Sequence, residues 1–168
     1  MASSLIVSLA VLGCLSVLGC AGDDQNKGRG FGDNFAWKDF QSGLQEAKET
    51  KKPLLLLIHK SWCGACKALK PKFAASKQIQ DLSKHFVMVN VEDDEEPHGE
   101  EYTPDGGYIP RILFMDPEGK VRRDIVNING NPSYRYYYPD PIQVVDSMKL
   151  ALEKIAPDTL NAQHPDEL

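Results

Sequence analysis

The sequence has no dominant basic stripe, because its 168 residues hold 19 Lys and Arg against 24 Asp and Glu, for a formal net charge of -5. This balance argues against nucleic acid as a partner. The chain is too short for a TIM barrel or a two-domain dinucleotide enzyme. With 42% hydrophobic residues it is too apolar to be largely disordered, so we expect one soluble globular domain.

Cysteine is also scarce, and the chain contains only Cys14, Cys20, Cys63 and Cys66. The first two fall in an uncharged stretch, residues 5–21, which polar sequence follows at once. An apolar core that ends in small residues at Gly19 and Ala21 is typical of a secretory signal, so we predict that residues 1–21 are a removable signal peptide. A short membrane anchor is the alternative, but a spanning helix needs roughly 20 apolar residues.

The two ends of the chain point to a compartment only when they are taken together. Val17 to Cys20 also resembles a bacterial lipobox, in which Cys20 would be lipidated. The chain closes with Asp166-Glu167-Leu168 after Pro165, a variant of the retention signal that a receptor of the eukaryotic secretory pathway binds. Both ends together predict the lumen of the endoplasmic reticulum, with no membrane attachment after removal of the signal.

Between these ends the pattern predicts an α/β fold with a central mixed sheet between helices. We expect a flexible lead-in at residues 22–32, a domain at 33–157 and a tail at 158–168. Short apolar runs predict three buried strands, at residues 54–58, 86–91 and 112–115. The third is expected to form a hairpin with a further strand at residues 121–126. Periodicity and capping residues predict helices at 37–50, after Cys63, at 79–85, and from an Asp140 cap to Pro157.

Cys63 and Cys66 stand in the motif Trp62-Cys63-Gly64-Ala65-Cys66, where the first buried strand gives way to a helix. Unpaired backbone N–H groups and the helix dipole favour an anion there, so we predict that Cys63 is the nucleophilic thiolate. Cys66, one turn further, is expected to be more buried and to resolve the mixed disulfide. Once residues 1–21 are removed, Cys63 and Cys66 are the only cysteines left in a protein of an oxidising compartment. With no other cysteines for a structural framework, this pair is expected to carry redox chemistry.

Two other roles for the cysteine pair fit the sequence less well. A zinc site needs two more ligands, and the histidines are scattered, at His59, His85, His98 and His164. A structural disulfide that closes only four residues would contribute little chain entropy.

A second motif, Ile109-Pro110, lies just before the third apolar run. A proline in this position is a candidate cis peptide in a tight turn, and a strand-initiating proline is the alternative.

Together, the Trp-Cys-x-x-Cys motif and the downstream Ile-Pro resemble the thioredoxin superfamily. Residues 59–71 and 104–114 resemble more closely the small thioredoxin-domain proteins of the endoplasmic reticulum, relatives of the anterior gradient and protein disulfide isomerase proteins. The resemblance covers residues 28–168 and implies a thioredoxin fold, luminal retention and thiol–disulfide exchange on client proteins. It implies that Cys63 attacks, that Cys66 resolves and that Pro110 is a cis-proline facing them. Trp62 and the backbone at Ile109 would contact an extended client segment, as in strand addition.

This sequence departs from the superfamily pattern at two positions. Leu57 replaces a buried acidic residue that many members use to move protons at the resolving thiol, which leaves water, Glu92 or His59 for that task. A loop carboxylate and a strand-end histidine are the simpler interpretations of these two side chains. Ala65 stands where reducing thioredoxins have Pro and isomerases have His, so we expect a reduction potential of around -180 to -270 mV.

We therefore predict a protein-disulfide oxidoreductase that needs no metal or organic cofactor and can be reset by glutathione. One alternative is a peptide-binding, chaperone-like module that uses the Pro110 edge and the tyrosines at 134 and 136–138. Another is a bacterial envelope lipoprotein of the same fold. The acidic run at residues 92–101 does not match an EF-hand loop and is predicted to be solvated, with weak calcium or client contact as the alternative.

Overall fold

The computed structural model describes residues 27–161, so the predicted signal peptide at 1–21, the lipobox cysteine and the retention sequence at 165–168 lie outside the described residues. Within this part of the chain the strands are β1 (Trp37–Lys38), β2 (Leu54–His59), β3 (Val87–Glu92) and β4 (Arg111–Met115). The helices are α1 (Phe40–Thr50), α2 (Gly64–Ala75), α3 (Lys77–Ser83), α4 (Pro141–Ile155) and α5 (Pro157–Asn161).

The four strands form one mixed sheet in the order β1-β3-β2-β4. Strands β1, β3 and β2 are parallel, and β4 runs antiparallel to β2. Leu55 and Leu57 of β2 face one core cluster, while Leu54, Leu56 and Ile58 face the other. Because helices and loops cover both faces, most positions of the central strands are apolar and the pattern does not alternate. This architecture confirms the predicted α/β thioredoxin-like fold.

The first helix begins three residues later than predicted. Trp37 and Lys38 pair with β3 as the short edge strand β1. Asp39 is the N-cap of α1, and its carboxylate accepts a hydrogen bond from the backbone N–H of Ser42 at 2.9 Å. An aspartate in this extended conformation favours a helix start directly after it. The hydrophobic spacing therefore predicts the burial of Trp37 correctly, but this residue lies in a strand and not in the helix.

The predicted hairpin after β4 is largely absent from the described residues. The turn forms, with Gly119 N–H donating to Asp116 O at 2.9 Å, but pairing beyond it is limited to one bridge between Met115 and Val121. Ile125 instead turns inward and is fully buried in the core. The prediction of a strand at 121–126 is wrong because burying Ile125 takes the chain away from the sheet edge.

The packed domain begins before the predicted boundary at residue 33. Phe31 is fully buried, and its ring lies 5.6 Å from that of Phe73 on α2. The Asn90 side chain donates to Lys27 O at 2.8 Å and to Gly28 O at 3.1 Å. Residues 27–32 therefore belong to the domain rather than to a flexible lead-in.

The C-terminal helix agrees with the sequence in its start and its end. Asp140 caps α4 by accepting from Ile142 N–H at 2.9 Å, Pro141 lies in the first turn, and the helix ends at Ile155. Within residues 27–161 no helix is both long enough and apolar enough to cross a membrane.

Candidate active site

The junction of β2 and α2 places Cys63 at the N-cap of the helix. The backbone of Cys63 is extended, with φ -76° and ψ 121°, and its N–H donates to Lys60 O at 3.2 Å. Its sulfur accepts a hydrogen bond from the backbone N–H of Cys66 at 3.1 Å. The first turn of a helix has unpaired N–H groups and a positive dipole end. Negative charge on Cys63 Sγ is therefore stabilised by the helix itself.

Cys63 and Cys66 are joined by a disulfide, with their Cα atoms 5.3 Å apart. Cys66 is fully buried, whereas Cys63 keeps 6% of its surface exposed. The neighbouring Trp62 side chain is 72% exposed. Cys63 is therefore the more accessible of the two cysteines, which is the asymmetry the sequence predicts for attacking and resolving thiols.

The second predicted motif lies against the first. The Ile109–Pro110 peptide bond is cis, and Ile109 O lies 4.0 Å from Cys63 Sγ. The β2–β4 register pairs Ile58 with Arg111, which places the start of β4 beside the end of β2. The structure thus brings together the five residues predicted for this site, Trp62, Cys63, Cys66, Ile109 and Pro110.

Of the tyrosines at 134 and 136–138, two are buried, Tyr137 is half-buried and Tyr134 is exposed. Tyr136 and Tyr138 are buried, and their hydroxyls donate to Arg123 O and Ser147 Oγ at 3.0 Å each. Tyr134 is 47% exposed and packs edge-on against Tyr108, one residue before Ile109, with ring centroids 5.0 Å apart. Packing accounts for the two buried tyrosines, and only Tyr134 borders the site with an exposed ring.

His59, at the end of β2, is held in one tautomer by Asn90. The amide nitrogen of Asn90 is committed to two backbone carbonyls, so its Oδ1 faces His59 Nε2 at 2.7 Å. An oxygen acceptor requires a donor, so Nε2 carries the hydrogen and Nδ1 is left with a lone pair. Burial lowers the pKa of His59 to about 4, so the ring is neutral at pH 7.

The two side chains suggested for proton transfer in place of the acid missing at Leu57 contact each other. His59 Nδ1 lies 3.3 Å from Glu92 Oε1 without hydrogen-bond alignment, and the same oxygen lies 3.3 Å from Lys70 Nζ. Leu57 itself is fully buried in the apolar core. A proton-transfer role for this pair stays a prediction.

The acidic run at residues 92–101 is exposed at six of its ten residues, as the sequence predicts, but several of its carboxylates also have specific partners. Asp93 Oδ1 accepts from Ser61 N–H at 2.9 Å, and the Glu95 carboxylate pairs with Arg29. Glu96 pairs with both Lys60 and Arg111. Although partial burial opposes the effect, hydrogen bonds and charge from these two cations lower the pKa of Glu96.

These partners of the acidic run were missed by sequence reasoning, although one signal was present. Arg111 directly precedes the apolar run of β4, as the first residue of the strand, and is fully buried. A buried guanidinium requires acceptors and a counter-charge, and the acidic run is the nearest dense source of carboxylates in the sequence. Across residues 27–161 no group of three or more His, Cys, Asp or Glu side chains converges in a way that could hold a metal ion.

Comparisons with known proteins agree with this geometry. A family model described as thioredoxin-like matches residues 36–117. The chain is 38% identical over 133 residues to anterior gradient protein 3 of Mus musculus, covering 78% of this chain and 79% of that protein. It is 38% identical over 130 residues to the anterior gradient protein 2 homolog of Homo sapiens, covering 77% of this chain and 73% of that protein. A thioredoxin structure from Thermus thermophilus, at 15% identity, superposes with a TM-score of 0.53 over 78% of this chain and 97% of that chain, and supports the fold alone.

Proposed function

Because this chain belongs to the anterior gradient family of thioredoxin-like proteins, we propose that it is a thiol–disulfide oxidoreductase acting on cysteines of client proteins. One observation carries the proposal: Cys63 and Cys66 form a disulfide at the start of α2, with Cys63 Sγ facing the Cys66 N–H at 3.1 Å. A cysteine at a helix N-terminus is favoured as a thiolate, and the thiolate is the attacking species in exchange.

In the reducing direction, the Cys63 thiolate attacks one sulfur of a client disulfide, and the second client sulfur leaves as a thiolate. A new bond now joins Cys63 to the client. Cys66 then gives up its proton and attacks Cys63 Sγ, which releases the first client sulfur as a thiolate. Two electrons have passed to the client, and the protein has become the Cys63–Cys66 disulfide. The oxidising direction is the reverse sequence.

Glutathione can restore the reduced pair without any bound cofactor. One glutathione thiolate attacks the Cys63 sulfur and forms a mixed disulfide while Cys66 leaves as a thiolate. A second glutathione thiolate attacks the sulfur of the first, releasing Cys63 and forming oxidised glutathione. Protein-disulfide reduction with glutathione is therefore the specific activity we propose.

We place this activity in the lumen of the endoplasmic reticulum. The support lies in the sequence, which combines a signal-like stretch at residues 1–21 with Asp166-Glu167-Leu168 for a retention receptor. The resemblance of residues 59–71 to small luminal thioredoxin-domain proteins supports the same placement. Mass spectrometry of the mature protein is the test. A free amine near Gly22 is expected, and a diacylglyceryl group on Cys20 would indicate an envelope lipoprotein instead.

Trapping of client proteins tests the proposed chemistry. In Cys66→Ser the resolving thiol is missing, so Cys63 should remain attached to clients by a disulfide. Dithiothreitol should release the clients from these complexes by reducing that bond. The Cys63→Ser variant is the matched control and should form none. Equal recovery of clients by both variants would contradict exchange at Cys63.

A peptide-binding module is the second candidate, and the exposed aromatic rings of Trp62 and Tyr134 near the cis-proline favour it. The double variant Cys63→Ser, Cys66→Ser separates the two functions. Full retention of function by this variant would favour binding without redox chemistry, and its loss would favour the oxidoreductase.

A further inference from the structure

Three charged side chains lie between the two loops that form the active site. Lys60 is in the turn between β2 and α2, and Arg111 directly follows Pro110. Glu96, on the acidic run between β3 and β4, contacts both of them. Its Oε2 lies 2.7 Å from Lys60 Nζ, and its Oε1 accepts a hydrogen bond from Arg111 Nη2. We call these three residues, Lys60, Glu96 and Arg111, the bridge.

Lys60 and Arg111, at the two ends of the bridge, are each hydrogen-bonded to a loop that carries predicted site residues. On one side, Lys60 O accepts from the N–H of Cys63 at 3.2 Å. On the other, Arg111 Nη1 donates to Tyr108 O, and Ile109 O, one residue further along, lies 4.0 Å from Cys63 Sγ. The contacts therefore close a ring around the cleft between the cysteine turn and the cis-proline loop.

Burial of the bridge sets it apart from an ordinary surface ion pair. Arg111 is fully buried, and the side chains of Lys60 and Glu96 are each only 22% exposed. Desolvating charges is expensive, so a buried ion pair adds little net stability compared with apolar residues of similar size. The other residues of β4 are buried and apolar, which is what the fold alone would favour at position 111. A role in orienting the site explains why a charge is present there.

We propose that Glu96 and Arg111 are positioning residues that hold the cis-Pro110 loop in register with Cys63, so that an extended client segment can pair with the loop while its disulfide meets the sulfur. This inference rests on the proposed function. A peptide disulfide needs both the loop and the sulfur in place, whereas a small dithiol needs only the sulfur. The bridge therefore governs exchange with peptides and not exchange with small dithiols.

The test uses Glu96→Gln. A glutamine oxygen can still accept from Arg111, but its NH₂ group faces Lys60 Nζ as donor against donor, so the contact of this side chain with Lys60 breaks. Lys60 Nζ keeps its hydrogen bond to Asp93 O at 2.6 Å, so the cysteine turn stays attached to the acidic run but not to Arg111 through Glu96. The KM for reduction of a synthetic peptide with one disulfide should rise by about tenfold or more, because small misplacements of reacting groups are costly. The rate at which dithiothreitol reduces the Cys63–Cys66 disulfide should stay within about twofold of the wild-type rate.

Two further variants make the result decisive. Glu101→Gln, at an exposed carboxylate of the same acidic run, is the matched control and should leave the peptide KM and the dithiothreitol rate unchanged. Lys60→Met removes the same contact together with the hydrogen bond from Lys60 Nζ to Asp93 O, and it carries the test if Glu96→Gln does not fold. In the double variant the increase in KM should be smaller than the product of the two single increases, since both substitutions remove the contact between Lys60 and Glu96.

Unchanged peptide KM in folded Glu96→Gln and Lys60→Met would overturn the inference. An equal loss of the peptide and dithiothreitol reactions would also overturn it, because the bridge would then act on the disulfide or on the fold. Failure of the wild-type protein to exchange with any peptide disulfide would instead reject the proposed function.

Discussion

The buried histidine beside the active site predicts a specific loss of stability in mild acid. His59 is fully buried, and burial lowers its pKa from 6.5 to about 4 in the folded protein. The charged groups around the ring act in both directions: Lys70 and Arg29 disfavour its protonation, and Glu92 favours it. A histidine whose pKa is lowered by folding stabilises the native state above pH 6.5, and this contribution is lost as the pH falls towards 4.

The size of the effect follows from the two pKa values. One pKa unit corresponds to about 1.4 kcal/mol, so the whole shift is worth about 3 kcal/mol. Between pH 7.5 and pH 5 the unfolded histidine binds a proton and the folded one does not, which lowers the free energy of unfolding by about 2 kcal/mol. Carboxylates with lowered pKa values, such as those of Asp39 and Glu96, contribute mainly at lower pH.

Urea unfolding of the oxidised protein at a series of pH values measures this loss directly. In His59→Gln, which cannot titrate, the free energy of unfolding should change by less than about 0.5 kcal/mol over the same interval, whatever its absolute value. His98→Gln, at an exposed position, is the matched control and should retain the wild-type slope. An identical slope in wild type and His59→Gln would refute the reasoning.

Three further predictions concern packing, capping and redox poise. Gly43→Ala should lower the free energy of unfolding by about 1–3 kcal/mol in urea titrations, because the added methyl group would overlap Val89. Gly64→Ala, whose methyl group would meet no atom within 4 Å, should lose nothing, and equal effects of the two changes would contradict the packing shown. Asp140→Ala removes the cap of α4 and should cost about 1 kcal/mol, whereas Glu153→Ala on the same helix should be near neutral in the same assay. Equilibration of the active-site disulfide with glutathione should give a potential of around -180 to -270 mV, and a value near -120 mV would contradict the assignment made from Ala65.

The parts of the fold that the sequence predicts well are those with strong local signals. The runs at 54–58, 86–91 and 112–115 match β2, β3 and β4 to within about one residue, because strands buried on both faces are continuously apolar. The start of α4 is equally local, since Asp140 and Pro141 specify a cap and a first turn. The two-residue strand β1 has too few residues to show any periodicity, and its pairing with β3 depends on residues 51 positions away.

The candidate site likewise contains residues that a local motif predicts and residues that only the tertiary structure brings together. Cys63, Cys66 and Pro110 were predicted because a short motif fixes the chemistry of each position. Glu96 was assigned to solvent, because its partners Lys60 and Arg111 are 36 and 15 residues away in the sequence and meet it only in the folded sheet. An arginine directly before an apolar run can be recognised in advance, whereas its burial and the choice of its partner require the tertiary structure.

Alkylation kinetics of Cys63 test most directly whether the start of α2 activates this sulfur. In the reduced Cys66→Ser variant Cys63 is the only thiol among residues 27–161, and the backbone N–H at position 66 is kept. At neutral pH, Cys63 should react with iodoacetamide about tenfold faster than free cysteine, and unfolding in urea should abolish the difference. A rate for the folded protein no greater than that of free cysteine would contradict the account.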